Sequence, residues 1–174
     1  MIDKATFSKL KLLDGSAEPG FASWAGRSGR IRVHRHKWKV LQPIEDPCRL
    51  FVKYTGLEYA FGNGWESDGP SIPNFVCALF GASREDFLRS GFLHDFCYRT
   101  GGAYVRVPGG EWEWKELDKE TADALLWAGM LAEGAGRLFA GTAFLGVHSV
   151  LAGRNWEKYR DLASGIPSLG GGPR

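Results

Sequence analysis

The spacing of glycine and proline limits the length of every regular element that this chain can form. Of the 174 residues, 24 are glycine and 8 are proline, and both residue types interrupt helices and strands. Glycine recurs at short intervals within residues 1–29, so that segment is predicted to be irregular. The chain must therefore fold from short elements joined by many turns. This excludes a coiled coil, and a hydrophobic content of 44% excludes a disordered tail protein.

β-Branched and aromatic residues are concentrated in two segments of the N-terminal part. Residues 30–42 and 49–60 each read as one strand, with a turn or bulge near Gly56 in the second. Pro43 and Pro47 end the first strand. The two strands are predicted to pair as an antiparallel hairpin through the intervening turn.

Helical patterns dominate the chain after a glycine-rich loop. Ser83 and Asp118 are good N-cap residues, and they predict helices over 84–99 and from Asp118 to about residue 133. A third helix is predicted over roughly 137–162. Residues 101–116 predict a loop or short hairpin with a Pro-Gly-Gly tip.

These elements predict one α+β domain, with an N-terminal β-hairpin or small antiparallel sheet before a helical half. We assign residues 1–162 to that domain, with the β region at 30–60 and the helical half at 83–162. Residues 163–174 are predicted to form a flexible C-terminal tail. A length of 174 residues is sufficient for one buried core.

Cysteine content and apolar segments indicate where the chain folds. Three cysteines are too few, and odd in number, for a disulfide framework. The first 13 residues lack the unbroken apolar core of a secretory signal, so folding in a reducing cytoplasm is expected. The longest apolar stretch, 138–153, is shorter than the roughly 20 residues of a spanning helix. It is predicted to be a buried core helix, with an interfacial helix as the alternative.

Basic residues are concentrated between positions 27 and 39, a segment that we call the basic stripe. Its members are Arg27, Arg30, Arg32, Arg35, Lys37 and Lys39. Such a stripe favours an anionic partner, which could be phospholipid headgroups, nucleic acid or an acidic protein face. The alternative is a solvated strand pair. Trp112 and Trp114 alternate with glutamates, and they either pack on the core or contact a lipid interface.

The residues that most strongly indicate chemistry are a His-Asp pair on the first predicted helix. His94 and Tyr98 are four residues apart and share one helical face, whereas Asp95 is rotated by about 100°. A neutral histidine can accept a proton from water, provided that a buried carboxylate orients its ring. Asp123, on the next helix, is the candidate for that carboxylate.

A cation is expected beside this pair. Asp95 would be free to bind calcium, which takes six to eight oxygen ligands. The loop Ser67-Asp68-Gly69 offers backbone carbonyls and a second carboxylate. Together these residues predict metal-assisted hydrolysis, in which the cation stabilises an oxyanion.

The segment His94-Asp95-Phe96-Cys97-Tyr98 resembles the active-site helix of phospholipase A2, whose motif is C-C-x-x-H-D-x-C-Y. The resemblance extends to the small bacterial phospholipases A2 and covers roughly residues 65–146. A second pattern, D-G-x-S-I-P…L-H-D-x-x-Y-R…A-D, is similar to a domain of unknown function found mostly in bacteriophages and prophages. It covers roughly residues 30–150 and is the closer of the two.

The phospholipase resemblance implies a role for each matching position. His94 would be the general base, Asp123 its orienting partner, and Tyr98 a support for this dyad. Asp95, Asp68 and the Gly69 carbonyl would bind calcium. The chain departs from the family pattern because Ser90-Gly91 replaces the Cys-Cys pair, and the usual calcium-loop pattern Y-G-x-G-x-C-G is absent.

Three functions follow as hypotheses. The first is a phage-encoded, calcium-dependent hydrolase of phospholipid esters that acts at an anionic phospholipid surface. The second is a non-catalytic virion protein of the tail or baseplate that uses the same fold to dock other virion subunits, and the third is a peptidoglycan-directed lytic enzyme. A nucleic-acid partner is not expected, and release on lysis or carriage in a phage particle would take the protein out of the host cytoplasm. A structural His-Asp pair is the alternative to any active site.

Overall fold

The computed structural model describes six segments of the chain. Residues 29–34, 37 and 84 within them are described by their backbone alone. The segments are 21–27, 29–34, 37–42, 45–67, 77–78 and 80–148. They form a mixed α+β fold, with an antiparallel sheet built largely from the N-terminal part and three α-helices in the C-terminal half. Within these segments, no helix is long and apolar enough to cross a membrane.

Within the described segments, eight short strands form two antiparallel sheets. In chain order they are β1 (Ala22–Ala25), β2 (Gly29–His34), β3 (Lys37–Leu41), β4 (Arg49–Val52), β5 (Leu57–Ala60), β6 (Glu66–Ser67), β7 (Gly102–Arg106) and β8 (Glu113–Glu116). The larger sheet has the order β1-β4-β5-β7-β8, and the smaller has the order β2-β3-β6. All neighbouring strands are antiparallel.

The predicted hairpin between segments 30–42 and 49–60 is wrong, because each segment is itself a hairpin. β2 pairs with β3, and β4 pairs with β5. Gly56 makes the second turn possible, since its φ of 66° lies in the left-handed region that glycine adopts without steric cost. The two hairpins consequently belong to different sheets.

Strand β1 lies in a segment that was predicted to be irregular. Its four residues are too few to show a periodic pattern, and its pairing with β4 is what makes it a strand.

The predicted hairpin at 101–116 is present as β7 and β8. This hairpin adds two strands from the C-terminal half of the chain to the five-stranded sheet.

The first two helices begin and end close to their predicted positions, and the third begins at its predicted residue. Helix α1 (Leu88–Thr100) follows one 3-10 turn at Arg84–Phe87, which Ser83 caps with a reciprocal Asp86 bond. Helix α2 (Lys119–Ala132) is capped by Asp118. Helix α3 (Arg137–His148) is the described part of the third predicted helix. Residues 149–162 and the proposed tail at 163–174 lie outside the described residues.

The hydrophobic core has two parts. The larger lies between the five-stranded sheet and α1, and includes the fully buried Tyr59, Phe61 and Phe96. The smaller lies between α2 and α3, where Met130 and Phe139 are buried. Helix α2 therefore stands between α1 and α3, and side chains from all three helices can meet there.

Helices α1 and α2 run antiparallel and approach closely at Gly129. A Cβ atom at Gly129 would lie 2.8 Å from Cβ of Ser90, so only glycine fits there without displacement. The Gly129 carbonyl also accepts a 3.0 Å hydrogen bond from the Trp24 indole of β1. One helical turn further, Glu133 accepts bonds from the backbone N–H groups of Arg89 and Ser90. These contacts set the register of the two helices.

Candidate active site

A fully buried carboxylate, Asp123, is the centre of the candidate site. Its Oδ1 lies 3.2 Å from His94 Nε2 and 2.6 Å from the Tyr98 hydroxyl. Its Oδ2 lies 2.6 Å from Lys119 Nζ and 3.2 Å from His148 Nδ1. The side chain of Asp123 is 0% exposed. Groups from all three helices therefore converge on one carboxylate.

Asp123 is ionised despite its burial. Burial, the largest single influence, raises the pKa of the carboxyl group. Hydrogen bonds from His94, Lys119 and Tyr98 together outweigh it and hold the pKa of Asp123 below its ordinary value. The ionised carboxylate only accepts hydrogen bonds, so both imidazoles must present an N–H to it.

This requirement fixes the tautomer of neutral His94. Because Nε2 donates to Asp123, the lone pair of the neutral ring is on Nδ1. The His94 side chain is 7% exposed. In the described part of the chain, the one buried side-chain nitrogen or oxygen without a hydrogen-bond partner is Nε1 of Trp65. Among the described residues, Nδ1 of His94 has no hydrogen-bond partner, so its lone pair is not used by a contact within that part of the chain.

Tyr98 supports His94 from the next turn of α1. The two rings pack with their centroids 4.2 Å apart, as the four-residue spacing predicts. Burial, with the bond to Asp123, raises the pKa of the Tyr98 hydroxyl, which stays protonated and donates. The Tyr98 hydroxyl thus takes one hydrogen-bonding position on Asp123 Oδ1, and the Tyr98 ring restricts movement of the His94 imidazole. The structure brings His94, Tyr98 and Asp123 together, while the roles assigned to them remain predictions.

Lys119 and His148 are members of the cluster that sequence reasoning missed. Lys119 is four residues before Asp123 on α2, a spacing that could have indicated the ion pair. Its ammonium group also donates to the Val147 carbonyl at 2.9 Å, which ties the end of α3 to the site. No local pattern marks His148, since it lies 25 residues from Asp123 and only the packing of α3 brings it there.

Asp95 points away from Asp123, as its rotation on the helix predicts. Its Oδ2 accepts a 2.5 Å hydrogen bond from the Ser67 hydroxyl at the end of β6. The other two proposed calcium ligands, Asp68 and Gly69, lie outside the described residues. Among the described residues, no three His, Cys, Asp or Glu side chains form a group that could hold a metal ion.

Three further candidates, Cys97, Trp112 and Trp114, lie in environments that indicate a role in packing. Cys97 is fully buried, and burial raises the pKa of its thiol well above the ordinary value, so it is unsuited to act as a nucleophile. Trp114 packs edge-on against Phe96, and Trp112 lies under the Arg106 guanidinium at 4.3 Å. Both tryptophans are therefore half-buried packing residues.

The basic stripe is described in part. Arg27 is exposed and Lys39 is half-buried, with a 3.7 Å ion pair to Glu66. The backbone of Arg30, Arg32 and Lys37 lies in the β2-β3 hairpin, and Arg35 lies outside the described residues.

No protein-family model, curated protein or solved structure matches the chain.

Proposed function

We propose that this protein is a phospholipase A2-like hydrolase of phospholipid esters, with His94 as general base and Asp123 as its orienting partner. The observation that carries the proposal is the buried 3.2 Å contact between His94 Nε2 and Asp123 Oδ1. It joins the two residues that the phospholipase resemblance selects, from two antiparallel helices. It also leaves Nδ1 of His94 to accept a proton.

The chemistry follows from the tautomer. Nδ1 of His94 accepts a proton from water as the water oxygen attacks the ester carbonyl. The imidazolium that forms is stabilised by ionised Asp123, and Tyr98 holds that carboxylate in place. Lys119 balances the charge of Asp123 before the reaction.

Calcium bound by Asp95, Asp68 and the Gly69 carbonyl is part of the proposal. The supporting contact is the bond between Ser67 and Asp95, because Ser67 immediately precedes Asp68 in the sequence. The described residues alone supply too few oxygen ligands for calcium. When bound, the ion would supply positive charge for the developing oxyanion.

A lipid surface is the proposed partner, because α3 has apolar residues on its outer face. Leu138 is 74% exposed and Leu145 is 68% exposed, and they are seven residues apart on one side of the helix. Helix α3 contains no Asp or Glu, and Arg137 begins it. An apolar face without acidic groups suits an anionic membrane surface. The same helix carries His148 to Asp123.

A phage or prophage origin belongs to the same proposal and rests on the D-G-x-S-I-P and H-D-x-x-Y-R patterns in the sequence. Synthesis in the host cytoplasm, followed by release on lysis or by packaging, would bring the enzyme to a membrane.

One experiment tests the hydrolase. Purified protein is incubated with mixed anionic liposomes, in calcium or in chelator, and fatty acid release is measured. A fall in the rate of fatty acid release of about 10²–10⁴-fold in His94→Gln supports the assignment of His94 as general base. The matched control is Gln42→Asn, a change at a buried polar side chain that bonds to the Phe61 carbonyl and the Cys48 N–H. Equal release from wild type and His94→Gln would overturn the proposal.

A virion docking protein is the second candidate, and the near-complete burial of His94 favours it. With 7% of the side chain exposed, a substrate has little access to the ring unless neighbouring segments move. In that case Leu138 and Leu145 would be covered by another virion subunit. Failed particle assembly in Leu138→Ser/Leu145→Ser, together with no lipid hydrolysis by wild type, would favour this candidate over the enzyme.

A further inference from the structure

The second oxygen of Asp123 holds a second imidazole in a more open position than the first. Nδ1 of His148 lies 3.2 Å from Oδ2, and the imidazole stacks on the Phe144 ring with centroids 4.9 Å apart and planes 14° apart. The His148 side chain is 44% exposed, against 7% for His94. One carboxylate therefore orients one enclosed and one accessible histidine.

The tautomer of neutral His148 is opposite to that of His94. Asp123 is ionised and accepts only, so Nδ1 of His148 carries the proton and Nε2 carries the lone pair. Within the described part of the chain, Nε2 has no hydrogen-bond partner. Stacking on Phe144 restricts rotation of the ring, so Nε2 keeps one direction.

We infer that His148 is a second acid–base group of this site, and that it transfers protons through Nε2 on the open side. This inference rests on the proposed function where it concerns ester hydrolysis. Water forms the new C–O bond and gives one proton to His94. As the bond to the leaving oxygen breaks, that oxygen takes the Nε2 proton of protonated His148. His148 then regains a proton from solvent and His94 loses one, so the net change is ester plus water to acid plus alcohol.

The carboxylate that holds His148 is surrounded by charged and titratable groups of α1 and α2. Asp123 of α2 binds Nδ1 of His148 through Oδ2, and the Lys119 ammonium is bound to the same oxygen. His94 and Tyr98 of α1 occupy Oδ1 on the other side. The contacts on both carboxylate oxygens hold Asp123 in place, and Asp123 in turn orients His148.

Two amide substitutions separate proton transfer from positioning. His148→Asn places an N–H where Nδ1 stood, so the contact with Asp123 can persist without a titrating Nε2. His148→Gln places an amide where Nε2 stood and loses the Nδ1 contact. The substrate is a short-chain diacyl phosphatidylcholine in monomeric solution, and Thr142→Asn on the same helix is the control.

The expected result is a fall in kcat of about 10²-fold in His148→Asn with KM little changed, and loss of one limb of the pH–rate profile. Thr142→Asn should match wild type. Wild-type kcat and an unchanged pH profile in His148→Asn would overturn the inference, because His148 would then serve only to position Asp123.

The tautomer of His148, observed by ¹⁵N NMR, is a readout that does not depend on hydrolysis. The His148 signal is assigned by its absence from the spectrum of His148→Asn. We expect the Nδ1–H form in wild type and loss of that preference in Asp123→Asn.

Diethyl pyrocarbonate should modify His148 faster than His94. A wild-type Nε2–H tautomer, or slower modification of His148, would overturn the inference even if hydrolysis is present. Absence of all hydrolysis, with the Nδ1–H tautomer and fast modification intact, would remove the proposed function and leave His148 as an accessible base.

Discussion

Two buried carboxylates in this protein, Glu58 on the sheet and Asp123 between the helices, are surrounded by different kinds of donor. Glu58 on β5 binds Arg49 at 3.1 Å and Arg106 at 2.6 Å, and its side chain is 11% exposed. These guanidinium groups come from the neighbouring strands β4 and β7. Asp123 is more deeply buried, and binds two imidazoles, a phenol and an ammonium group.

The difference lies in which partners can change protonation. Arginine stays charged at any ordinary pH, so the Glu58 cluster is a fixed cross-strand link. A neutral imidazole has one nitrogen that donates and one that accepts a proton, so the Asp123 cluster is suited to the proton transfer that we propose. Burial of a carboxylate therefore does not identify a functional site by itself, and the chemistry of its partners separates the two cases.

The largest expected effect comes from Asp123→Asn. The substitution leaves the Lys119 ammonium without its charged partner and removes the fixed tautomer of His94. We expect stability to fall by about 3–5 kcal/mol. Hydrolysis per folded molecule should fall about 10⁴-fold. Urea unfolding and fatty acid release measure the two losses, and hydrolysis within tenfold of wild type would contradict the assignment of Asp123.

Glu58→Gln tests the other side of the comparison. It removes the charge shared by Arg49 and Arg106, although Asp46 still binds Arg49 and Trp112 still lies against Arg106. We expect a stability loss of about 2 kcal/mol. Hydrolysis per folded molecule should be unchanged. If activity fell as much as in Asp123→Asn, the distinction between a structural and a functional carboxylate would fail.

Tyr98→Phe removes one donor from Asp123 without changing the shape of the core. The lost bond goes to an ionised acceptor at 2.6 Å, so we expect a stability loss of about 1.5 kcal/mol. Hydrolysis should fall by less than in His94→Gln. Calorimetric melting of wild type and variant gives the comparison. An unchanged melting temperature would show that Tyr98 contributes through the packing of its ring alone.

The smallest expected effect is a pH dependence centred on Glu133. Burial raises the pKa of Glu133, although Ser90 and the backbone N–H of Arg89 donate to its carboxylate. An acid with a raised folded pKa binds more protons in the folded state, so its contribution to stability falls as pH rises through the interval above 4.5. Glu133→Gln should flatten that part of the stability–pH curve. An unchanged slope would show that Glu133 does not titrate there.

The sequence by itself determined the local elements and the face of α1 that meets α2. Ser83, Asp118 and Gly101 set helix ends through bonds and backbone angles within a few residues. The spacing of His94 and Tyr98 placed both on one side of a helix, and the same geometry turned Asp95 towards Ser67. These features depend on helical periodicity, which can be read along the chain.

Only the tertiary structure decided the strand pairing and the full membership of the site. The two N-terminal hairpins and β1 depend on partners distant in the sequence, because short strands have no preferred register until another strand or the core fixes it. His148 reaches Asp123 because Phe139 and Phe144 of α3 are buried in the second part of the core. A contact across 25 residues depends on how apolar surfaces pack together, and no local spacing of polar residues encodes it.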